Sequence, residues 1–213
     1  MKQNIITIDG PAASGKGTLA RRLADHLNYF YLDTGKIYRL IGLQAYQKGL
    51  TPEDNPDAVA KLAQDLAENF DLSMMDNPEL KSDHIGQMAS RSGAFPVVRS
   101  AILDLQRHLA LHPPYGCGVV LDGRDCGTVI CPDAPHKFFI TADVKTRAKR
   151  RFEELKQADP SVDYDLILAD MKQRDERDFA RTTAPLRPAD GAITIDTSAM
   201  DGDQAYQAVL DKL

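Results

Sequence analysis

The stretch Ile5-Ile6-Thr7-Ile8-Asp9-Gly10-Pro11-Ala12-Ala13-Ser14-Gly15-Lys16-Gly17-Thr18 decides the fold. A short β-branched run opens it, a glycine-bearing loop follows, and Leu19, Leu23 and Leu27 then recur at helical spacing. Strand, glycine-rich loop ending in Gly-Lys, and helix, in that order, are the context a phosphate-binding loop requires. Its glycines let the backbone wrap so that successive N–H groups point inward. The new helix adds its positive N-terminal end, so Gly10, Pro11, Ala12, Ala13, Ser14, Gly15, Lys16, Gly17 and Thr18 together suit a polyphosphate. Lys16 is placed to reach the β- and γ-phosphates. Gly17 follows Lys16 where a Ser or Thr usually ligates Mg²⁺, and Thr18 comes one residue later. No direct metal ligand is therefore assigned in the loop, and water and phosphate oxygens are expected to supply most of a Mg²⁺ shell.

Outward from this loop, further short β-branched or apolar runs appear at Phe30–Leu32, Val119–Leu121, Lys137–Ile140 and Ile193–Ile195. Helical patterns such as Val98/Ile102/Leu105/Leu109 lie between them. Strands alternating with helices predict an α/β domain with a mainly parallel five-stranded core covered on both faces. Two stretches interrupt the alternation. Residues 51–90 contain Thr51-Pro52, Asn55-Pro56 and Asn77-Pro78 and read as a small helical insertion on the surface. Residues 144–184 form a charged helical region broken near Asp159-Pro160-Ser161, polar all round, as in a flap standing off the body. The expected organisation is one domain over residues 1–213, with core segments 1–50, 91–143 and 185–213, an insertion at 51–90 and a lid at 144–184.

Composition narrows the function classes. Of 213 residues, 43% are hydrophobic and 27% charged, an ordinary globular balance. No apolar run reaches the ~18 residues a membrane span needs, and the apolar part of the N-terminus is too short for a signal peptide. Cys117, Cys126 and Cys131 cannot all pair and lack zinc spacing, which suits a reducing cytoplasm. A net charge of −5 argues against a nucleic-acid polymer or a membrane as partner. The charge is uneven: residues 1–50 sum to +4, residues 51–83 to −7, and residues 145–187 to +2.

A phosphate loop alone does not separate a kinase from a GTPase or a motor. The guanine-reading Asn-Lys-x-Asp element is absent, since none of the asparagines at 4, 28, 55, 69 and 77 precedes a lysine. Arginines near loop and helix starts carry the argument further. In Asp33-Thr34-Gly35-Lys36-Ile37-Tyr38-Arg39, Thr34 can cap the next helix, with Arg39 beyond its first turn. In Asp122-Gly123-Arg124-Asp125, at the C-terminal end of a strand, Arg124 suits a phosphate and Asp125 offers a carboxylate acceptor. Asp122 suits an outer role around Mg²⁺. Arg174, Arg177, Asp178 and Arg181 share one face if the helix runs through them. Taken alone, that face reads equally as a solvated one, with Glu176 and Asp178 pairing Lys172 and Arg174. With the other features it describes two neighbouring anion sites under a positive lid.

These residues resemble those of the bacterial cytidylate kinases, in the nucleoside monophosphate kinase group, over nearly the whole chain. The matching strings are Ile8-Asp9-Gly10-Pro11 with Gly15-Lys16-Gly17-Thr18, Leu32-Asp33-Thr34-Gly35 with Ile37-Tyr38-Arg39, and Ala94-Phe95-Pro96-Val97-Val98-Arg99. Asp122-Gly123-Arg124-Asp125, Gly127-Thr128-Val129, Pro132-Asp133-Ala134-Pro135, Arg174-Asp175-Glu176-Arg177-Asp178 and Ala184-Pro185-Leu186 complete the set. The resemblance implies Mg²⁺-dependent transfer of the ATP γ-phosphoryl group to CMP or dCMP by a cytoplasmic monomer. It implies that Ser90, Arg99 and Asp125 contact cytosine, that Arg39, Arg124 and Arg181 hold the monophosphate, and that Arg174 and Asp178 reach the ribose or phosphate. Thr34 and Tyr38 would line the site, and Lys16, Arg124, Arg174 and Arg181 would serve the transfer. Residues 70–90 are shorter than the usual family form, and Thr34 stands where many members have Ser. Cys126, inside the Gly-Arg-Asp loop, reads as a small apolar filler. A kinase for UMP or another small acceptor remains the alternative among enzymes. A regulatory module that binds ATP without transferring it is the alternative outside them.

Overall fold

The computed structural model describes residues 4–157 and 159–213. β1 (Ile5–Asp9) leads through the phosphate loop into α1 (Lys16–Leu27), followed by β2 (Phe30–Asp33) and α2 (Thr34–Gln47). Next come α3 (Pro56–Glu68), two 3₁₀ turns (Leu72–Asp76 and Pro78–Lys81), α4 (Asp83–Ser92) and α5 (Pro96–Leu111). β3 (Val119–Gly123) then runs into a single π-helical turn (Cys126–Ile130) and β4 (His136–Thr141). α6 (Val144–Lys156), α7 (Tyr164–Ala180), β5 (Ile193–Asp196) and α8 (Gly202–Leu210) complete the chain. The five apolar runs are thus the five strands, each one or two residues longer than its run. Among the described residues no helix is long and apolar enough to cross a membrane.

The strands form one sheet in the order β2-β3-β1-β4-β5. β1 is central and parallel to both β3 and β4, with Ile8 opposite Asp122 on one side and Phe138 on the other. β4 is parallel to β5. Every residue of β1 and β3 is buried, which is why their sequences run apolar without alternation. The chain runs from β1 out to β2 at one edge of the sheet and later from β4 out to β5 at the other, so the direction of its connections reverses beside β1. Its C-terminal end is therefore the crevice where open α/β sheets place ligands.

Chain segments divide into two compact units. The first takes in the chain to Leu32 and from Pro113 onward, and the second is Asp33–His112. In the first, Leu19, Ala20, Leu23 and Ala24 of α1 and Ala205, Tyr206 and Val209 of α8 pack on Ile6, Ile8, Val120, Phe138, Ile140 and Ile195. Leu23 is completely buried, and a leucine so placed contributes about 1.5–3 kcal/mol. Asp201 and Gln204 cap α8 reciprocally, so the Asp203 and Gln204 N–H groups of its first turn are satisfied. The break expected near Asp159-Pro160-Ser161 separates α6 from α7, and Asp163 caps α7 by accepting from the Asp165 and Leu166 N–H groups.

The second unit holds α2 packed on α4 and α3 packed on α5. Gly42 permits the first contact, since a Cβ there would lie 3.0 Å from the Ala89 nitrogen. Val59, Ala63 and Leu66 of α3 and Val98, Ile102 and Leu109 of α5 are buried.

Candidate functional site

The phosphate loop is built by backbone geometry that its sequence dictates. At Gly10 a Cβ would lie 2.0 Å from the Ile140 carbonyl oxygen, so only glycine lets the chain leave β1 along this path. Ala13 (φ 55°) and Gly15 (φ 87°) then adopt left-handed backbone. Such residues turn consecutive N–H groups into one concavity. α1 starts at Lys16, and its cap residue Gly15 places no side chain on the first N–H groups. The Ser14 hydroxyl is buried, with no hydrogen-bond partner among the described residues. Lys16 is 8% exposed, its Nζ 3.2 Å from the Pro11 carbonyl and 3.9 Å from Asp122 Oδ1. Thr18 is exposed.

Asp122 ends β3 beneath this loop, buried, and accepts a hydrogen bond from the Tyr31 hydroxyl at 3.2 Å. A Cβ at Gly17 would lie 2.9 Å from Asp122 Oδ2. Glycine after Lys16 therefore makes room for this carboxylate where a hydroxyl-bearing residue would press on it. Among the described residues no three carboxylate, histidine or cysteine side chains gather as a metal cage. The buried Asp122 carboxylate beside the loop fits a Mg²⁺ carried mainly by phosphate oxygens and water.

After β3 the chain presents Arg124 and Asp125, the latter 4% exposed. Arg124 donates through Nε to Asp178 Oδ2 at 3.1 Å and through Nη1 to the Gly123 carbonyl at 3.2 Å. Asp178 Oδ1 accepts from Arg181. Burial alone would raise the Asp178 carboxyl, but the guanidiniums of Arg124, Arg181 and Arg174 outweigh it and hold the group below the ordinary carboxylate range. The helical face expected over residues 174–181 needs one correction. α7 ends at Ala180, and Arg181 has extended backbone (φ −55°, ψ 134°). The chain turns there because Ala184 takes a left-handed φ of 52° and the Leu186 N–H returns to the Asp178 carbonyl at 2.8 Å. Arg181 meets Asp178 from beyond the helix, not along it.

Three contacts to the phosphate loop and its surroundings had no local sequence signal. Arg147, on α6 and 4% exposed, donates to the Ala142 carbonyl at 2.8 Å and the Ala12 carbonyl at 3.2 Å. It also makes a two-pronged contact to Asp175 of α7, at 3.2 and 2.6 Å. Thr197 Oγ1, just after β5, donates within reach of the Ser14 and Thr141 carbonyls at 3.2 and 3.1 Å. Asp9 accepts from the Cys126 and Gly127 N–H groups, each at 2.8 Å. Asp175 and Asp9 lie within matched strings, and that was the available hint. Arg147 carried none.

The remaining candidates belong to the second unit. Thr34 does not cap α2: it is the first helical residue and buried, and Asp33 caps, its carboxylate accepting from the Lys36 N–H at 3.2 Å. Asp33, at the end of β2 with ψ 93°, already has the extended backbone a cap needs. Arg39 donates through Nη1 to the Leu80 and Ser82 carbonyls at 2.6 and 3.0 Å. Its guanidinium lies against Gly86, where a Cβ would be 2.8 Å from Nη2. Arg99 is 8% exposed, donates to the Gly93 carbonyl at 3.1 Å and lies 5.4 Å from the Tyr38 ring centre. The buried Ser90 hydroxyl has no hydrogen-bond partner among the described residues. Thus Lys16, Asp122, Arg124, Asp125, Arg174, Asp178 and Arg181 share the first unit, and Thr34, Tyr38, Arg39, Ser90 and Arg99 the second.

Comparison with known proteins follows the same lines. The chain matches the family model for cytidylate kinase over residues 6–213. It is 50% identical over 210 residues to the cytidylate kinase of Rhodospirillum rubrum, covering 98% of this chain and 96% of that one. It is also 50% identical over 206 residues to the cytidylate kinase of Paramagnetospirillum magneticum, covering 97% and 95%. Its fold is similar to a solved structure of an uncharacterized protein from Eubacterium ventriosum, at TM-score 0.55 and 19% identity over 99% and 98% of the two chains. That last likeness speaks for the fold alone.

Proposed function

The chain belongs to the cytidylate kinase family, and from that premise we propose that it transfers the γ-phosphoryl group of ATP to CMP or dCMP, releasing ADP and CDP or dCDP. One observation carries the reading beyond the family match. A phosphate loop with a buried Lys16 and a buried Asp178 carboxylate holding both Arg124 and Arg181 lie in the same compact unit. One is a cradle for a polyphosphate and the other an oriented set of guanidiniums for a second anion.

The proposed roles follow from the donors. Backbone N–H groups of Gly10–Thr18 bind the ATP phosphates, and Lys16 Nζ exchanges the Pro11 carbonyl for phosphate oxygens. Arg39, Arg124 and Arg181 hold the monophosphate, while Arg174 and Asp178 reach ribose or phosphate, Asp178 also fixing the direction of its two arginines. Asp125 accepts from the cytosine amino group, Arg99 donates to the ring acceptors, and Ser90, Thr34 and Tyr38 complete the acceptor contacts. Transfer itself needs alignment and charge neutralisation more than covalent help from the protein. Bound with ATP, Mg²⁺ supplies part of that neutralisation, with Asp122 beside it. Enclosure by the α6–α7 region would keep water from competing as acceptor. The reading extends to a monomer acting in the cytoplasm, in keeping with cysteines that form no disulfide.

Phosphorus NMR of the protein with MgATP and CMP tests this. Equal amounts of ADP and CDP, with no inorganic phosphate, are expected. Binding of ATP without CDP formation would replace transfer by a purely binding role.

A further inference from the structure

Asp9 stands in a string that marks the phosphate loop, yet its carboxylate does not face that loop's function. It is 2% exposed at the end of β1, and its two oxygens divide two N–H groups between them, Oδ1 to Cys126 and Oδ2 to Gly127, each at 2.8 Å. Those donors are 117 and 118 residues away in the chain and directly follow Arg124 and Asp125. They open the π-helical turn Cys126–Ile130, whose own cap residue, Asp125, makes no side-chain cap to it. The turn is tightened from its other end by the Val129 and Ile130 N–H groups on the Asp125 carbonyl and by the Cys131 N–H on the Cys126 carbonyl. Gly127 also sits hard against β1, where a Cβ would lie 2.8 Å from Thr7 Oγ1. A buried two-pronged acceptor of this kind fixes both the position and the tilt of the backbone it holds.

We propose that Asp9 is a positioning residue: by capping the Cys126–Ile130 turn from β1, it sets where Arg124 and Asp125 stand relative to the end of the central strand. This rests on the reading of Arg124 and Asp125 as acceptor-nucleotide contacts. Holding the turn by a remote carboxylate has a physical cost: burial raises the Asp9 carboxyl, the Gly127 and Cys126 N–H bonds lower it, the Asp125 charge raises it, and the net result is about 6. A group retained at that cost is doing something its apolar neighbours could not. Because Asp9 also immediately precedes Gly10, one residue ties the start of the ATP loop to the loop that would read and hold the acceptor.

Asp9→Asn tests it, because the amide keeps the shape but turns a donor toward one of the two N–H groups. Two readouts are needed. Amide hydrogen exchange should show Cys126 and Gly127 protected in the wild type and exchanging about 10–100-fold faster in the variant. Steady-state kinetics should show the KM for CMP raised and kcat lowered, each by about 10-fold or more, with the KM for ATP within about twofold. Unchanged exchange at Cys126 and Gly127 would overturn the proposal. Equal losses for ATP and CMP alongside a lowered Tm would also overturn it, by showing a general structural role. Should Asp9→Asn fail to fold, the wild-type exchange decides: rates at Cys126 and Gly127 like those of exposed loops would refute the hold. If the wild type does not phosphorylate CMP, the functional reading fails on its own, and exchange still decides whether Asp9 holds the turn.

Discussion

Arg124 donates to Asp178 at 3.1 Å, and Asp178 is 1% exposed, so a carboxylate that orients this arginine is sealed from water. The other Asp178 oxygen takes Arg181. Removing the carboxylate takes away the acceptor shared by the Arg124 and Arg181 guanidiniums, whose side chains are only 17% and 6% exposed. Asp178→Ala should therefore cost about 3–5 kcal/mol of stability, the usual loss when one partner of a buried ion pair is deleted. Urea unfolding measures it, and a loss below 1 kcal/mol would show that the pair is solvated in practice.

Arg124→Ala and Arg181→Ala test the second anion site directly. Each removes a charge proposed to hold the monophosphate and should lower turnover of CMP about 10²–10³-fold, the size seen when a preorganised electrostatic donor is removed. ATP binding to the loop should persist in both. Intact turnover in either variant would remove that arginine from the site.

Arg147 and Asp175 join the phosphate-loop backbone to α7. Asp175→Asn weakens a two-pronged ion pair at 3.2 and 2.6 Å, with Arg147 still bound to the Ala12 carbonyl. The expected result is faster proteolysis in the chain between α6 and α7 and a kcat lowered about 10-fold, roughly the 1.4 kcal/mol of one impaired charged hydrogen bond. Limited proteolysis with and without ATP measures the first effect. An unchanged cleavage rate would show that this pair does not hold α7.

Two carboxyls give the stability a pH dependence of opposite sign. Burial raises the Asp9 carboxyl to about 6, so its contribution is fully present below the unfolded value near 3.9 and is lost as pH rises through 6. The depressed Asp178 contributes above the unfolded value and loses its contribution as pH falls through its lowered one. The margin by which the wild type exceeds Asp9→Asn should thus be widest near pH 4 and shrink by up to about 3 kcal/mol above pH 6. Urea titrations from pH 4 to 7.5 read this margin, and a constant margin would contradict the assignment.

What the amino-acid sequence revealed and what it concealed divide by range. The five strands were legible because buried parallel strands are continuous β-branched runs, and the phosphate loop because its glycines are required by local backbone geometry, as at Gly10 beside Ile140. The break between α6 and α7 was legible from Pro160 and its neighbours. Thr34 in place of Asp33 as the cap was a one-residue error between two competent side chains, decided by which had extended backbone. Arg181 was placed on α7 because periodicity does not register a left-handed turn at Ala184. The grips of Asp9 on Cys126 and Arg147 on Ala12 span 117 and 135 residues, and no local pattern encodes a partner at that separation.

The proposed reading assigns base selection to Asp125. A carboxylate accepts from the cytosine amino group and repels the uracil carbonyl, whereas an amide can turn to suit either. Asp125→Asn should therefore narrow the preference for CMP over UMP, by about 10-fold or more, with the KM for ATP unchanged. Paired kcat/KM values measure it, and an unchanged ratio would remove Asp125 from base reading.

The central claim is that this chain phosphorylates a cytidine monophosphate, and the wild-type ratio of kcat/KM for CMP to that for UMP at saturating MgATP tests it most directly. The account predicts that CMP wins by about 10–100-fold, equivalent to the 1–3 kcal/mol that one well-placed pair of base contacts supplies. A ratio of one, or a preference for UMP, would contradict it.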